Sequence, residues 1–144
     1  MILNIAIIVF ILLELTNVVI MYVKPDFTYG NSMASFEGWE RAKQDEKNYL
    51  YSKYLVNWVA NCKLIFIVLL LNIVIFGNEA SKIVGVVVTI VSIGIYYITL
   101  HPIISKLDEM GEIRPKGYSK TLGLMIAGFM IMFSVALIFY FIFK

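Results

Sequence analysis

The sequence predicts an all-α protein, a bundle of four transmembrane helices, and three observations predict it. The chain is 60% hydrophobic and only 15% charged, with a mean hydropathy of +0.85. A soluble domain of 144 residues needs far more charge to cover its surface. The apolar residues also come in four long runs, about 2–23, 55–77, 83–105 and 121–143. Each is near the ~20 residues that a helix needs to cross ~30 Å of hydrocarbon. Finally, a segment in hydrocarbon has to satisfy its own backbone hydrogen bonds, which selects helix even where β-branched residues cluster, as at 84–91. The whole chain, 1–144, reads as one membrane domain.

The first run has no Lys or Arg before it, is interrupted by Glu14 and Asn17, and is not followed by a small-residue cleavage site. It therefore reads as a retained span and not as a signal peptide. The loop after it is the longest. Across 35–54, Phe36, Trp39, Leu50 and Tyr54 fall within about 60° of one line at ~100° per residue. Glu37 with Arg41, and Glu40 with Lys43, are spaced for ion pairs along a helix. This pattern predicts an amphipathic helix over 35–54, either lying at the membrane surface or extending the second span. Phe36 and Trp39 are its candidates for contact with the membrane surface or a partner protein.

The second and third runs are joined by a tight turn at 78–82. The third carries Gly85, Thr89, Ser92, Tyr96 and Thr99 on one face, small and hydroxylated residues that let helices approach closely. His101-Pro102 follows, and the proline is expected to bend or end the helix. Gly111, Pro115 and Gly117 break the next connection. Its Asp108, Glu109 and Glu112 read most simply as a solvated loop. The fourth run is the most lipid-like.

Loop charges give the bundle a direction. Lys24, Arg41, Lys43, Lys47 and Lys53 lie in the first loop, and Lys106, Arg114, Lys116 and Lys120 in the third. Only Lys82 and Lys144 lie on the other side. Nine basic residues against two place the first and third loops in the cytoplasm and the N- and C-termini outside.

Composition also excludes classes of function. The net charge is +2, with two arginines and no basic cluster interleaved with aromatics, so nucleic acid is not an expected partner. Cys62 is the only cysteine, which excludes an intramolecular disulfide, thiol exchange by a cysteine pair and a cysteine-built metal site in one chain. No metal or cofactor is expected, and no catalytic residue is assigned, because no nucleophile–base pair can be placed by spacing.

The charged residues inside the runs are the candidates for chemistry. Glu14 sits near the middle of the first span, where a carboxylate is costly and tends to face the bundle interior. Burial favours its protonated form, which makes it a candidate for binding and releasing protons. Asn17 is one turn on. Lys63 in the second span is the natural partner: Glu14 lies nine residues, and Lys63 eight, from the cytoplasmic ends of their spans. At 1.5 Å per residue both are ~12–14 Å deep. The alternative is that Lys63 snorkels toward the headgroups. Tyr96 lies at a similar depth, within reach of a hydrogen bond to Glu14. Asn57, Asn61 and Asn72 form a stripe that reads as interhelical glue, with a polar cavity as the alternative, and His101 is a further polar candidate.

A four-span chain with a single glutamate in its first span resembles the small multidrug resistance transporters in those two respects. The resemblance implies a carboxylate that binds protons and cationic drugs in turn within a dimer. The long first loop and Lys63 depart from that pattern, and a lysine beside the carboxylate competes with a cationic substrate.

Three functions follow as expectations. The first is a proton- or ion-linked transport or permeation protein, acting as an oligomer around Glu14. The second is a non-catalytic accessory or scaffold subunit of a larger membrane complex. The third is a membrane enzyme acting on lipid or quinone.

Overall fold

The structure, a computed structural model, describes residues 1–28 and 33–143. Residues 29–32 of the first loop and Lys144, which entered the charge count, lie outside the described residues. Seven helices follow one another: α1 (Ile2–Val23), α2 (Glu37–Ala42), α3 (Glu46–Phe76), α4 (Glu79–Gly94), α5 (Tyr96–Thr99), α6 (His101–Glu109) and α7 (Tyr118–Ile142). Four stretches are long and apolar enough to cross a membrane: α1, α3, the run Glu79–Glu109 and α7. Among the described residues there is no strand, only one isolated antiparallel bridge between Phe36 and Ile113.

The helix expected over 35–54 is two helices. Lys43–Asp45 interrupts it, and Asp45 starts α3 by accepting a hydrogen bond from the Lys47 amide at 3.0 Å. Such a side-chain acceptor satisfies one of the orphan amides of a helix start. The second half of the expected helix thus continues directly into the second apolar run, giving 31 residues without a break.

The third run is broken as Pro102 predicts, and also at Gly94. Pro102 has no N–H, so the Ile98 carbonyl loses its helical partner, and the backbone ladder resumes with the Ile104 amide on the Leu100 carbonyl at 3.0 Å. At Gly94 a Cβ would lie 3.3 Å from the methyl of Met130, so its bareness allows α4 to approach α7 closely.

Helix α1 is the centre of the bundle. Its most extensive partner is α3, followed by α7, and α4 closes the ring against α7. Ile7, Phe10, Val18, Ala60, Val86 and Phe133 form the middle of the core. Phe10 meets Phe66, Phe129 and Phe133 edge-on at 6.0, 5.0 and 5.2 Å between ring centroids, an arrangement that aromatic quadrupoles favour.

The two long loops meet at one end of the bundle and form a folded cap. The Glu37 amide donates to the Glu112 carbonyl at 2.9 Å, and the Arg114 amide to the Ser35 carbonyl at 2.8 Å. Arg41 forks onto Glu112, and Arg114 pairs with Glu37. At the opposite end, Tyr140 Oη donates to Glu79 Oε2 at 2.8 Å, which ties the end of α7 to the tight turn.

Asp108 is no solvated loop residue. It is buried, and its carboxylate accepts from the amides of Gly117 and Ser119 at 2.9 and 3.0 Å and from the Ser119 hydroxyl. Gly117, in the left-handed region at φ +86°, has no side chain with which to cap α7, so α6 supplies the cap in its place. The Ser119 hydroxyl first, and then the Gly117 amide, hold the Asp108 carboxyl below its ordinary range. Asp108→Ala is expected to cost about 1–2 kcal/mol, read as a lower unfolding midpoint in a fixed detergent. A carboxyl lowered by folding stabilises above its unfolded pKa, about 3.9, and loses that contribution as pH falls through its folded value. The gap between variant and wild type should therefore be full near neutrality and close below pH ~4.

Candidate functional site

The two charges inside the apolar runs meet. Lys63 Nζ bonds Glu14 Oε2 as an ion pair between α3 and α1. The side chains are 22% and 11% exposed respectively, so both are mostly withdrawn from the surroundings. Pairing lowers the cost of placing either charge there.

Tyr22 Oη bonds Asn61 Oδ1, a second link between α1 and α3. Glu14 and Tyr22 are eight residues apart, ~12 Å along a helix, whereas Asn61 and Lys63 are two apart, ~3 Å. The long side chains of Tyr22 and Lys63 absorb the ~9 Å difference. Asn61 and Lys63 also point ~160° apart on α3, so that helix grips α1 from two flanks. The Lys63 ammonium is spent on Glu14 and does not reach for the loop end.

Beside the pair lies an open-sided cavity of about 580 Å³, lined by residues of α1, α3, the broken α4–α6 run, α7 and the cap. Its polar lining comes from Glu14, Lys63, Ser92, Tyr96 and Thr99. The rest is apolar, including Ile104, Leu122 and Ile126, with Phe36 contributed by the cap. The rim residues Ile95, Leu100 and Ile103 are exposed, so the cavity opens on the apolar flank of the bundle. One turn from Glu14 on the same face of α1, Phe10 carries the cluster of four phenylalanines, none of which lines the cavity.

The remaining candidates divide. Tyr96 lines the cavity with Glu14 and Lys63, but its hydroxyl sits 3.3 Å from His101 Nδ1 and not on Glu14. His101 stands outside the cavity lining, with its ring centroid 5.6 and 5.7 Å from those of Tyr96 and Tyr97, packed where Gly123 leaves room. Tyr97 Oη fastens the same place by donating to the Gly123 carbonyl at 2.6 Å. Asn17 is half-buried and takes no part in the ion pair. Asn61 is interhelical glue, Asn57 is half-buried and Asn72 is exposed; none lines the cavity, so the asparagine stripe is not its polar wall.

Trp39 does not lie on the surface. It is 1% exposed, donates from Nε1 to Asp26 Oδ1 at 2.7 Å and packs on Tyr49 at 5.4 Å. Lys43 pairs with Asp26 and lies over the Trp39 ring at 5.7 Å. Lys43 first, then Trp39, hold the Asp26 carboxyl below its ordinary range. Phe36 is half-buried between Ile113 and the cavity. No protein-family model matches the chain, and no characterised protein or solved structure is significantly similar to it, so function has to be read from the cavity itself.

Proposed function

We propose that this is an integral membrane protein that carries a solute across the bilayer in step with protons, without catalysing a reaction, and that Glu14 is its coupling group. The observation that carries this reading is the Glu14–Lys63 pair standing in the wall of a cavity of about 580 Å³. A pair that served only to staple two helices gains nothing from an adjacent open space, whereas a pair that exchanges partners needs one. The volume lies within the ~300–1,000 Å³ of typical small-ligand sites.

The proposed orientation puts the cap in the cytoplasm and both termini outside. The basic residues of the first and third loops supply its warrant, because these loops fold together at one end while Lys82 lies beyond the tight turn at the other. Phe10, one turn from Glu14, packs in a cluster of four phenylalanines, and translocation is read as running through a rearranged bundle or between copies in an oligomer. A scaffold role for the first loop is less favoured than transport, because Trp39, its largest apolar side chain, is already occupied within the chain.

The test is flux in proteoliposomes under an imposed pH gradient. Wild type should move protons in the presence of a hydrophobic solute pool, and Glu14→Gln, which keeps shape and removes the titrating group, should abolish that flux while remaining folded. Equal flux in the two proteins removes Glu14 from the mechanism.

A further inference from the structure

Resting on the transport reading, the same cavity also points to a class of ligand. We propose that it takes a single-chain amphiphile with a carboxylic-acid head, drawn sideways from the bilayer, with Lys63 holding the carboxylate and Glu14 taking its proton. Three observations carry this. The cavity opens on the apolar flank, where Leu100 and Ile103 are 58% and 60% exposed. Its walls are apolar over most of their area, with the charged pair at one side, which is the pattern of a tail site with one head site. Lys63 is the one cation among the residues that line the cavity, so an acidic head has a single counter-charge to meet there.

Charge balance supports the same assignment. A carboxylic acid crosses hydrocarbon as the neutral acid, because an ion there is costly. On reaching the pair, the acid's O–H bond breaks, its proton passes to a Glu14 oxygen, and the resulting carboxylate replaces Glu14 on Lys63 Nζ. The cavity holds one cation and one anion before and after, and no charge is left unpaired. A lysine ammonium has three donors, so old and new carboxylates can share it during the exchange. The other ionisable group on the wall, Tyr96, faces His101, and the α7 and cap sides contribute Leu122, Ile126 and Phe36, which bring no charge. An alkylammonium head would instead have to displace Lys63 from Glu14.

The probe is palmitic acid carrying a mid-chain diazirine, photolysed with the full chain in lipid nanodiscs. Label is expected on residues 95–104 and 122–126, competed by palmitic acid but not by hexadecanol or hexadecylamine. Lys63→Gln should lower it about tenfold or more, whereas Glu14→Gln should keep it, since Lys63 then lacks a competing anion. Ile103→Trp, at an exposed rim position where added bulk leaves the core untouched, should also lower it, which separates lost binding from lost folding. Label scattered over the lipid-facing helices, equal competition by hexadecylamine, or unchanged labelling of Lys63→Gln overturns the proposal. Selective labelling without proton-linked flux would remove the transport reading and leave the ligand; Glu14-dependent flux without selective labelling would do the reverse.

Discussion

Replacing Trp39 with alanine is expected to open the loop cap, at a cost of about 3–5 kcal/mol, the range for removing a fully buried large aromatic. The indole is 1% exposed, and three separate contacts depend on it: Asp26 through the ring nitrogen, Tyr49 through the ring face, and Lys43 above the ring. Its loss leaves Asp26 with Lys43 as its remaining partner and opens a void under α2. The loss should appear in hydrogen exchange at the Glu37 and Arg114 amides, whose acceptors are the carbonyls that tie the two loops together. At about 1.4 kcal/mol per tenfold, their exchange should accelerate a hundredfold or more. Phe36 sits three residues away and lines the cavity, so labelling there should fall as well. Exchange rates within a factor of a few of wild type would mean that the cap is held by its arginine pairs instead.

Breaking the central ion pair should be comparably costly, and replacing it whole should not be. Removing one member of a buried pair costs about 3–5 kcal/mol, because it leaves the other charge without compensation, whereas exchanging both for apolar residues of similar volume is often neutral. Glu14→Leu and Lys63→Met should each lower the unfolding midpoint in detergent, and the double variant should recover most of the loss. The recovery is the coupling energy of a double-mutant cycle, and it also separates stability from function. A double variant that folds as well as wild type yet carries no flux assigns the pair to transport. If the two single effects simply add, Glu14 and Lys63 do not meet in the folded protein.

The bundle was legible because hydrocarbon imposes a length that few other constraints mimic. The pairing of Glu14 with Lys63 was legible for a related reason: the two charges deep in apolar runs have few other partners. The second link between the same helices, Tyr22 on Asn61, was not, since a contact between flexible side chains leaves no periodic trace. The break at Lys43–Asp45 did leave a local signal, an aspartate before a glutamate at a helix start, which the continuous hydrophobic stripe outweighed. The stripe itself misled for Trp39, because an apolar face predicts burial but does not say against what. Asp108 carried no signal at all: it caps a helix that begins ten residues later, across a turn whose geometry depends on two left-handed glycines.

The cap also bears on the order in which the molecule is put together. Its partners come from opposite parts of the chain, Arg41 and Glu112 being 71 residues apart in sequence. A chain made from its N-terminus exposes the first loop long before residues 112–114 exist. Asp26 and Tyr49 can receive Trp39 early, but Phe36 has no Ile113 to lie against until two more long apolar runs have been synthesised. The cap thus closes only after the third run has been made. Its closure is a checkpoint that only a chain with its third run already in place can pass.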